Sequence, residues 1–215
     1  MDTVQSLGLV NGGNSATNLP NGLLSPLRLG GQGDQIVSQL HGKLYEQAFK
    51  KKLFYGSNGA TPSVTTVALA TTYTGLCLYN PAGSGVNLVV EKVGYSFLVA
   101  FPAAATIGLL VGYASGGITT ASAAASPGSP CLVGANATPA GVCALSATLV
   151  GTPKLHSVFG AGLTAAITTV PETFTWVDMD GSLILAPGAY AAIYTSTVSG
   201  AASLAGSFIW AEEPV

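Results

Sequence analysis

The stretch Val64–Ala114 limits what this chain can fold into more than any other. Three runs rich in Val, Leu, Thr, Tyr and Phe are broken at Asn80-Pro81-Ala82-Gly83-Ser84-Gly85 and again at Phe101-Pro102-Ala103-Ala104. Pro and Gly at those breaks interrupt a helix and supply turn geometry. In the middle run, Leu88, Val90, Val93, Tyr95, Phe97 and Val99 recur mostly at every second position, while Asn87, Glu91, Gly94, Ser96 and Leu98 take the other face. That period is the period of a strand with one face in a core.

Charge is the second constraint. Only 7% of the 215 residues are charged, against about 25% in an average soluble domain. No charged residue stands between Lys92 and Lys154. Such a surface is either neutral and polar or covered by neighbouring subunits, and the second alternative is an oligomer. A net charge of -2 gives no whole-molecule attraction to nucleic acid or anionic lipid, both of which require clustered Lys and Arg. Neither partner is expected.

Val93–Ala114 is uncharged and about as long as a membrane span. Against a span stand Pro102, the glycines at 94, 108 and 112, and apolar spacing of two residues, so strands are expected and no membrane segment. No secretory signal is expected either, because Asp2 occupies the place of a basic start and no apolar run precedes Asn11-Gly12-Gly13-Asn14. Cys77, Cys131 and Cys143 are read as reduced and incidental; Cys131 and Cys143 could bridge only in an oxidising setting.

The chain divides into three parts. Residues 1–33 carry Gly, Asn, Ser and Pro with isolated leucines and no period, the composition of an extended N-terminal arm. Leu23, Leu24, Leu27 and Leu29, with Arg28 among them, mark that arm as a docking element rather than a plain linker. Residues 34–58 form a short basic segment holding four of the seven basic residues. There Tyr45, Phe49 and Leu53 at i, i+4 and i+8 predict an amphipathic helix, with Lys50, Lys51 and Lys52 at its end, where cations suit the dipole. These lysines are either a solvated face or a contact for an acidic partner surface.

Residues 59–215 read as the β domain. Beyond the opening triplet, Gly116–Gly141 is low-complexity and reads as a long loop. Strand signals resume at Val142–Val150, Leu155–Phe159, Thr173–Val177, Ser182–Ala186, Ala189–Ser196 and Ser207–Trp210, with turns at Gly151-Thr152-Pro153, Asp178-Met179-Asp180-Gly181, Pro187-Gly188 and Ser199-Gly200. Eight or nine strands joined by turns predict an all-β, antiparallel β-sandwich of jelly-roll type, with an extended N-terminal arm and one short helix. Tyr190, Ile193, Phe208 and Trp210 are core candidates by alternation.

Catalytic chemistry does not assemble. Asp178-x-Asp180-Gly181 resembles the opening of a calcium loop, but the later ligands are missing and an Asp-Gly turn accounts for it. His41 and His156 have no paired nucleophile or carboxylate motif. Gly83-Ser84-Gly85 is neither a nucleophile elbow nor a phosphate loop. Glu212 and Glu213 form a small acidic tip that is either solvated or able to receive Arg28 or a lysine of another subunit. We expect no enzyme, cofactor or metal.

Three motifs carry a resemblance: LxNPxGSG at Leu78–Gly85, LxPGxY at Leu185–Tyr190 and SFxWxEEP at Ser207–Pro214. With the arm, the basic segment and the Gly/Ala loop before them, they make residues 34–215 resemble structural virion proteins of tailed bacteriophages. The likeness is to the jelly-roll cement or decoration proteins on the icosahedral heads of some short-tailed phages. It implies a protein of the capsid surface that binds the major capsid protein and associates with its own copies, a trimer being expected before a dimer. The other reading is a tail fibre or spike head binding a host glycan, for which exposed aromatics on Ala121–Ala140 would be needed; that stretch has none.

Overall fold

The computed structural model describes residues 42–58, 72–73, 75–97, 101, 103–116, 119–122, 128–162, 175–197 and 204–215. The arm, His41 and the first strand-like run before Thr72 lie outside the described residues. One short helix, α1 (Tyr45–Phe49), precedes thirteen strands: β1 (Leu53–Ser57), β2 (Thr72–Tyr73), β3 (Cys77–Tyr79), β4 (Val86–Phe97), β5 (Ala105–Tyr113), β6 (Thr119–Ser122) and β7 (Ser129–Pro130). There follow β8 (Val142–Ala144), β9 (Ser146–Thr148), β10 (Lys154–Gly162), β11 (Thr175–Leu185), β12 (Ala189–Thr195) and β13 (Leu204–Pro214).

Two five-stranded antiparallel sheets pack face to face. Sheet I has the order β11-β4-β13-β1-β7 and sheet II the order β10-β5-β12-β3-β8. Setting aside the short additions leaves eight principal strands: β1, β3, β4, β5, β10, β11, β12 and β13. In that series the first pairs with the last (β1 with β13), the second with the seventh (β3 with β12), the third with the sixth (β4 with β11) and the fourth with the fifth (β5 with β10). A chain paired this way is one long antiparallel hairpin wrapped into a sandwich, and β4 with β13 and β5 with β12 close the wrap. This is the jelly-roll topology.

The core between the sheets is built by alternation. Leu88, Val90, Val93 and Tyr95 of β4 meet Leu183 and Leu185 of β11, Phe208 and Trp210 of β13, and Ile107, Leu109 and Ile193 of sheet II. Trp210 stacks on Phe54 with ring centroids 6.1 Å apart, and Tyr95 stacks on Phe159 of the opposite sheet at 6.0 Å. All four predicted core residues, Tyr190, Ile193, Phe208 and Trp210, are fully buried. Each such side chain contributes roughly 1.5–3 kcal/mol by leaving water.

The phase slip in β4, from Leu88 and Val90 to Val93 and Tyr95, has a structural cause. Trp210 pairs with Val90 while the adjacent Ile209 pairs with Lys92, so Glu91 is an extra residue bulged out of the ladder. Glu91, expected on the polar face, is buried instead.

Four other expectations change. α1 ends at Phe49, because Lys51 takes a left-handed φ of 60° and the chain then joins sheet I; Leu53 is in β1, not in the helix. The sandwich therefore takes in Leu53–Ser57, which the sequence placed in the basic segment. Asp178–Gly181 is not a turn between two strands. β11 runs through it, pairing with β4 at Asp178 opposite Lys92 and again at Leu183 opposite Val90. Residues 179–182 thus stand against Glu91 alone, with Asp180 and Gly181 at φ 48° and 72° taking up the excess and Met179 turned into the core.

Gly116–Gly141 is also not one loop, since it contains β6 and β7. Val142–Val150 is two strands, not one, with β8 in sheet II and β9 in a third, three-stranded sheet of order β2-β9-β6. All three cysteines are free, and no helix among the described residues is long and apolar enough to cross a membrane.

The three motifs of the resemblance each hold a junction. Asn80 donates through Nδ2 to the carbonyls of Val86 (2.7 Å) and Leu185 (2.8 Å). Its backbone N–H bonds to Ala189 O and its carbonyl accepts from Gly188 N–H, so the first motif clasps the Pro187-Gly188 turn of the second. In the third, the Glu212 carboxylate accepts from the backbone N–H groups of Ala140 (3.1 Å) and Gly141 (2.8 Å) and from Trp210 Nε1 (3.1 Å). Those bonds lash the segment before β8 to the last strand.

Candidate interaction surface

The two outer faces of the sandwich are treated differently. On sheet II, Cys77, Leu110, Tyr190 and Ala192 point away from the main core and pack under Tyr73, Ala147 and Leu149, which the three-stranded sheet and its flank supply. Tyr73 anchors this cover, its hydroxyl donating to Ile193 O at 2.7 Å. On sheet I, the outward residues follow from the register, and the described residues leave several of them open.

They stand in rows across β11, β4, β13 and β1. One row is Trp176, Gly94, Ser207 and Ser57; the next is Asp178, Lys92, Ile209 and Tyr55; a third is Ile184, Val89, Ala211 and Leu53. Trp176 is 40% exposed, Tyr55 40% and Ile184 57%, whereas Leu53 and Ala211 are buried. The Trp176 indole lies over Gly94, where a Cβ would come within 3.0 Å of two ring carbons, so glycine there is what lets the ring lie against the sheet. Lys92 Nζ meets Asp178 Oδ1 at 2.8 Å. A half-exposed pair of this kind contributes about 0–1 kcal/mol to folding and leaves a face with little net charge. Aromatic and aliphatic groups stand around this pair, with Asp180 exposed beside it in the β11 bulge.

The basic cluster is largely answered within the chain. Lys50 pairs with Glu46 at 2.5 Å, one helical turn back, and holds that carboxyl below its usual range. Lys52 pairs with Glu213 at 2.6 Å, so the acidic tip receives a lysine of its own chain. Lys51 is exposed at the helix end. Leu23, Leu24, Leu27, Arg28 and Leu29 lie outside the described residues. On α1, Tyr45 and Phe49 stack with centroids 6.0 Å apart and stay exposed.

Two further features stand apart from these rows. A cleft of about 600 Å³ opens where β10 begins, lined by Val111, Tyr113, Lys154, Leu183 and Ile184 among others. It brings one ammonium to an apolar wall and no acid–base pair. His156 is exposed, with Nδ1 3.2 Å from the neighbouring Ser157 Oγ. Among the described residues, no group of three or more His, Cys, Asp or Glu side chains could hold a metal ion. Burial pushes the Cys143 thiol up to about 12 and the Cys77 thiol well above its usual value, which leaves both inert as nucleophiles at neutral pH.

Sequence reasoning missed the open face for two reasons. Tyr55 and Ser57 fell in the segment read as helical, and Ile184 fell on a strand whose partner could not be named. The available signal was Trp176 beside Val177, a large aromatic one position out of phase with the core. Comparison with family models, curated proteins and solved structures returned no match to this chain.

Proposed function

We propose that this chain is a structural virion protein, a cement or decoration protein that binds the outside of a phage head and associates with its own copies there. The observation that carries the reading is the pairing of an almost chargeless jelly roll with large apolar side chains left exposed on its sheets, Trp176, Tyr55 and Ile184 on sheet I and Leu155 and Val158 on sheet II. Such side chains are costly to leave in water and cheap to cover with another protein. The motifs that resemble decoration proteins support it from the sequence side. Its partners on this reading are the major capsid protein and further copies of the chain; its role is mechanical, with no cofactor, no bound nucleic acid and no membrane.

The test is binding. Purified chain is mixed with emptied heads of the phage that carries it and, separately, with host cells, and each mixture is pelleted. Co-sedimentation with heads at a fixed number of copies per capsid subunit, with a gain in the temperature at which the heads break, is the expected result. Binding to cells with none to heads would transfer the chain to the fibre or spike class, and binding to neither would remove the virion reading.

A further inference from the structure

We propose that the cleft where β10 begins is a ligand site for a small amphipathic carboxylate, an apolar body of about eight to twelve carbons with one anionic end. The site arises from a gap in the core at one corner of the sandwich. On the inward face of sheet II, Val111 of β5 pairs with Lys154 of β10 on one side and with Ala191 of β12 on the other, and the next row sets Tyr113 opposite Ala189. Facing sheets stand about 10 Å apart, and large side chains are needed to close that space. The Tyr95–Phe159 stack closes it elsewhere. At this corner β12 offers only alanines, and Tyr113 is 61% exposed. Leu183 and Leu185 reach in from sheet I, and about 600 Å³ remains between them and the Val111–Ala189 side. That is about twenty water volumes, within the range of small-molecule sites.

The lining is two-sided. Its floor is apolar, while Lys154, Thr152 and Tyr113 bring groups that can donate hydrogen bonds, and no carboxylate is among the lining residues. Lys50, Lys52 and Lys92 are each answered by a carboxylate of the chain, whereas Lys154 has no ion pair among the described residues. A ligand that lays hydrocarbon on the floor and a carboxylate on the ammonium satisfies both parts; a neutral or cationic one satisfies only the first. No nucleophile and general base are paired there, so the ligand is held and not converted. The flanking edges disfavour a peptide strand as occupant, because β10 carries two register irregularities and β11 the large bulge.

Calorimetric titration of the full chain at neutral pH with octanoate, 1-octanol and octyltrimethylammonium tests this. Octanoate should bind at one site with a Kd of about 100 µM, at least ~10-fold more tightly than the other two. Lys154→Met, which keeps an apolar stem and removes the charge, should weaken octanoate at least ~10-fold and leave octanol within about twofold. Ala189→Leu, which fills the gap, should weaken both by at least ~10-fold, and Lys51→Met, on the exposed end of α1, should change neither. Circular dichroism confirms folding; if Ala189→Leu is unfolded, Thr152→Trp, on an exposed residue of the lining, replaces it. Octanoate binding indifferent to Lys154→Met and to the filling variant would overturn the site, and octanol binding as tightly as octanoate would overturn the anion. No saturable heat up to about 5 mM octanoate would overturn the ligand class and leave the virion reading standing. If Lys154→Glu then abolished binding to heads, the cleft would belong to a carboxylate of the capsid partner instead.

Discussion

Sheet I and sheet II are the same size and share one core, yet sheet II packs outward residues of β3, β5 and β12 under a second layer, leaving Leu155 and Val158 of β10 exposed, while sheet I leaves Trp176, Tyr55 and Ile184 exposed. The difference can be read along single strands. β12, Ala189-Tyr190-Ala191-Ala192-Ile193-Tyr194-Thr195, is apolar at nearly every position, because alternate residues serve two cores: Ala191 and Ile193 face sheet I, and Tyr190 and Ala192 face the three-stranded cover. β13 alternates, with Leu204, Gly206, Phe208 and Trp210 buried and Ala205, Ser207 and Ile209 partly exposed. A strand covered on both sides loses the two-residue period, and a strand covered on one side keeps it.

The largest test of this contrast is alkaline pH. Tyr73, Cys77 and Tyr190 all lie in the covered layer, and burial raises all three, the Tyr190 phenol up to about 12. A group raised in the folded state keeps its stabilising contribution below its unfolded pKa and loses it as pH climbs through the folded value. Stability should therefore hold up to about pH 9 and fall steeply from there to about 12, where unfolded thiols and phenols ionise first. Urea midpoints measured across that range check the slope. A flat profile would mean that the covered layer opens to water without unfolding the sandwich.

Next in size is truncation on matched sides. Tyr190→Ala in the covered layer should lower unfolding free energy by about 4 kcal/mol, as for other buried aromatics. Trp176→Ala on sheet I should lower it by about 1 kcal/mol, since the indole is part-exposed and lies against Gly94. Equal losses in denaturant titrations would dissolve the distinction between the two faces. Tyr73→Phe is a finer probe: it keeps the ring and removes the hydroxyl that donates to Ile193 O, and should cost about 1 kcal/mol.

How far the sequence carried the fold follows from the same contrast. β4 was legible because its partners cover only one face, but the sequence put Glu91 on the polar face, since only the pairing with β13 shows it as a bulge. Tyr190, Ile193, Phe208 and Trp210 were legible as core because they are large and lie on strong strands. The pairing of β1 with β13 was not legible, because strand partners in a wrapped hairpin are distant in sequence and nothing local names them. β1 itself was lost to a helical spacing of Tyr45, Phe49 and Leu53 that the chain abandons at Lys51. Asp178–Gly181 misled because turn residues also build bulges, and only a partner strand running unbroken past them separates the two. The motifs of the resemblance were recognised as a set, but their work, the Asn80 clasp and the Glu212 lashing, depends on contacts across the fold. The outward rows of sheet I needed both the register and the loss of the helical reading at Tyr55.

The smallest expected effect falls on an exposed side chain of sheet I. Ile184→Thr on the open face keeps β-branching and removes apolar surface from a side chain 57% exposed. At concentrations where the chain is monomeric, stability should change by no more than about 0.5 kcal/mol, the ordinary range for a surface position. A fall of more than about 1 kcal/mol in monomer stability would mean that Ile184 is already packed within its own chain. Sheet I would then be closed like sheet II.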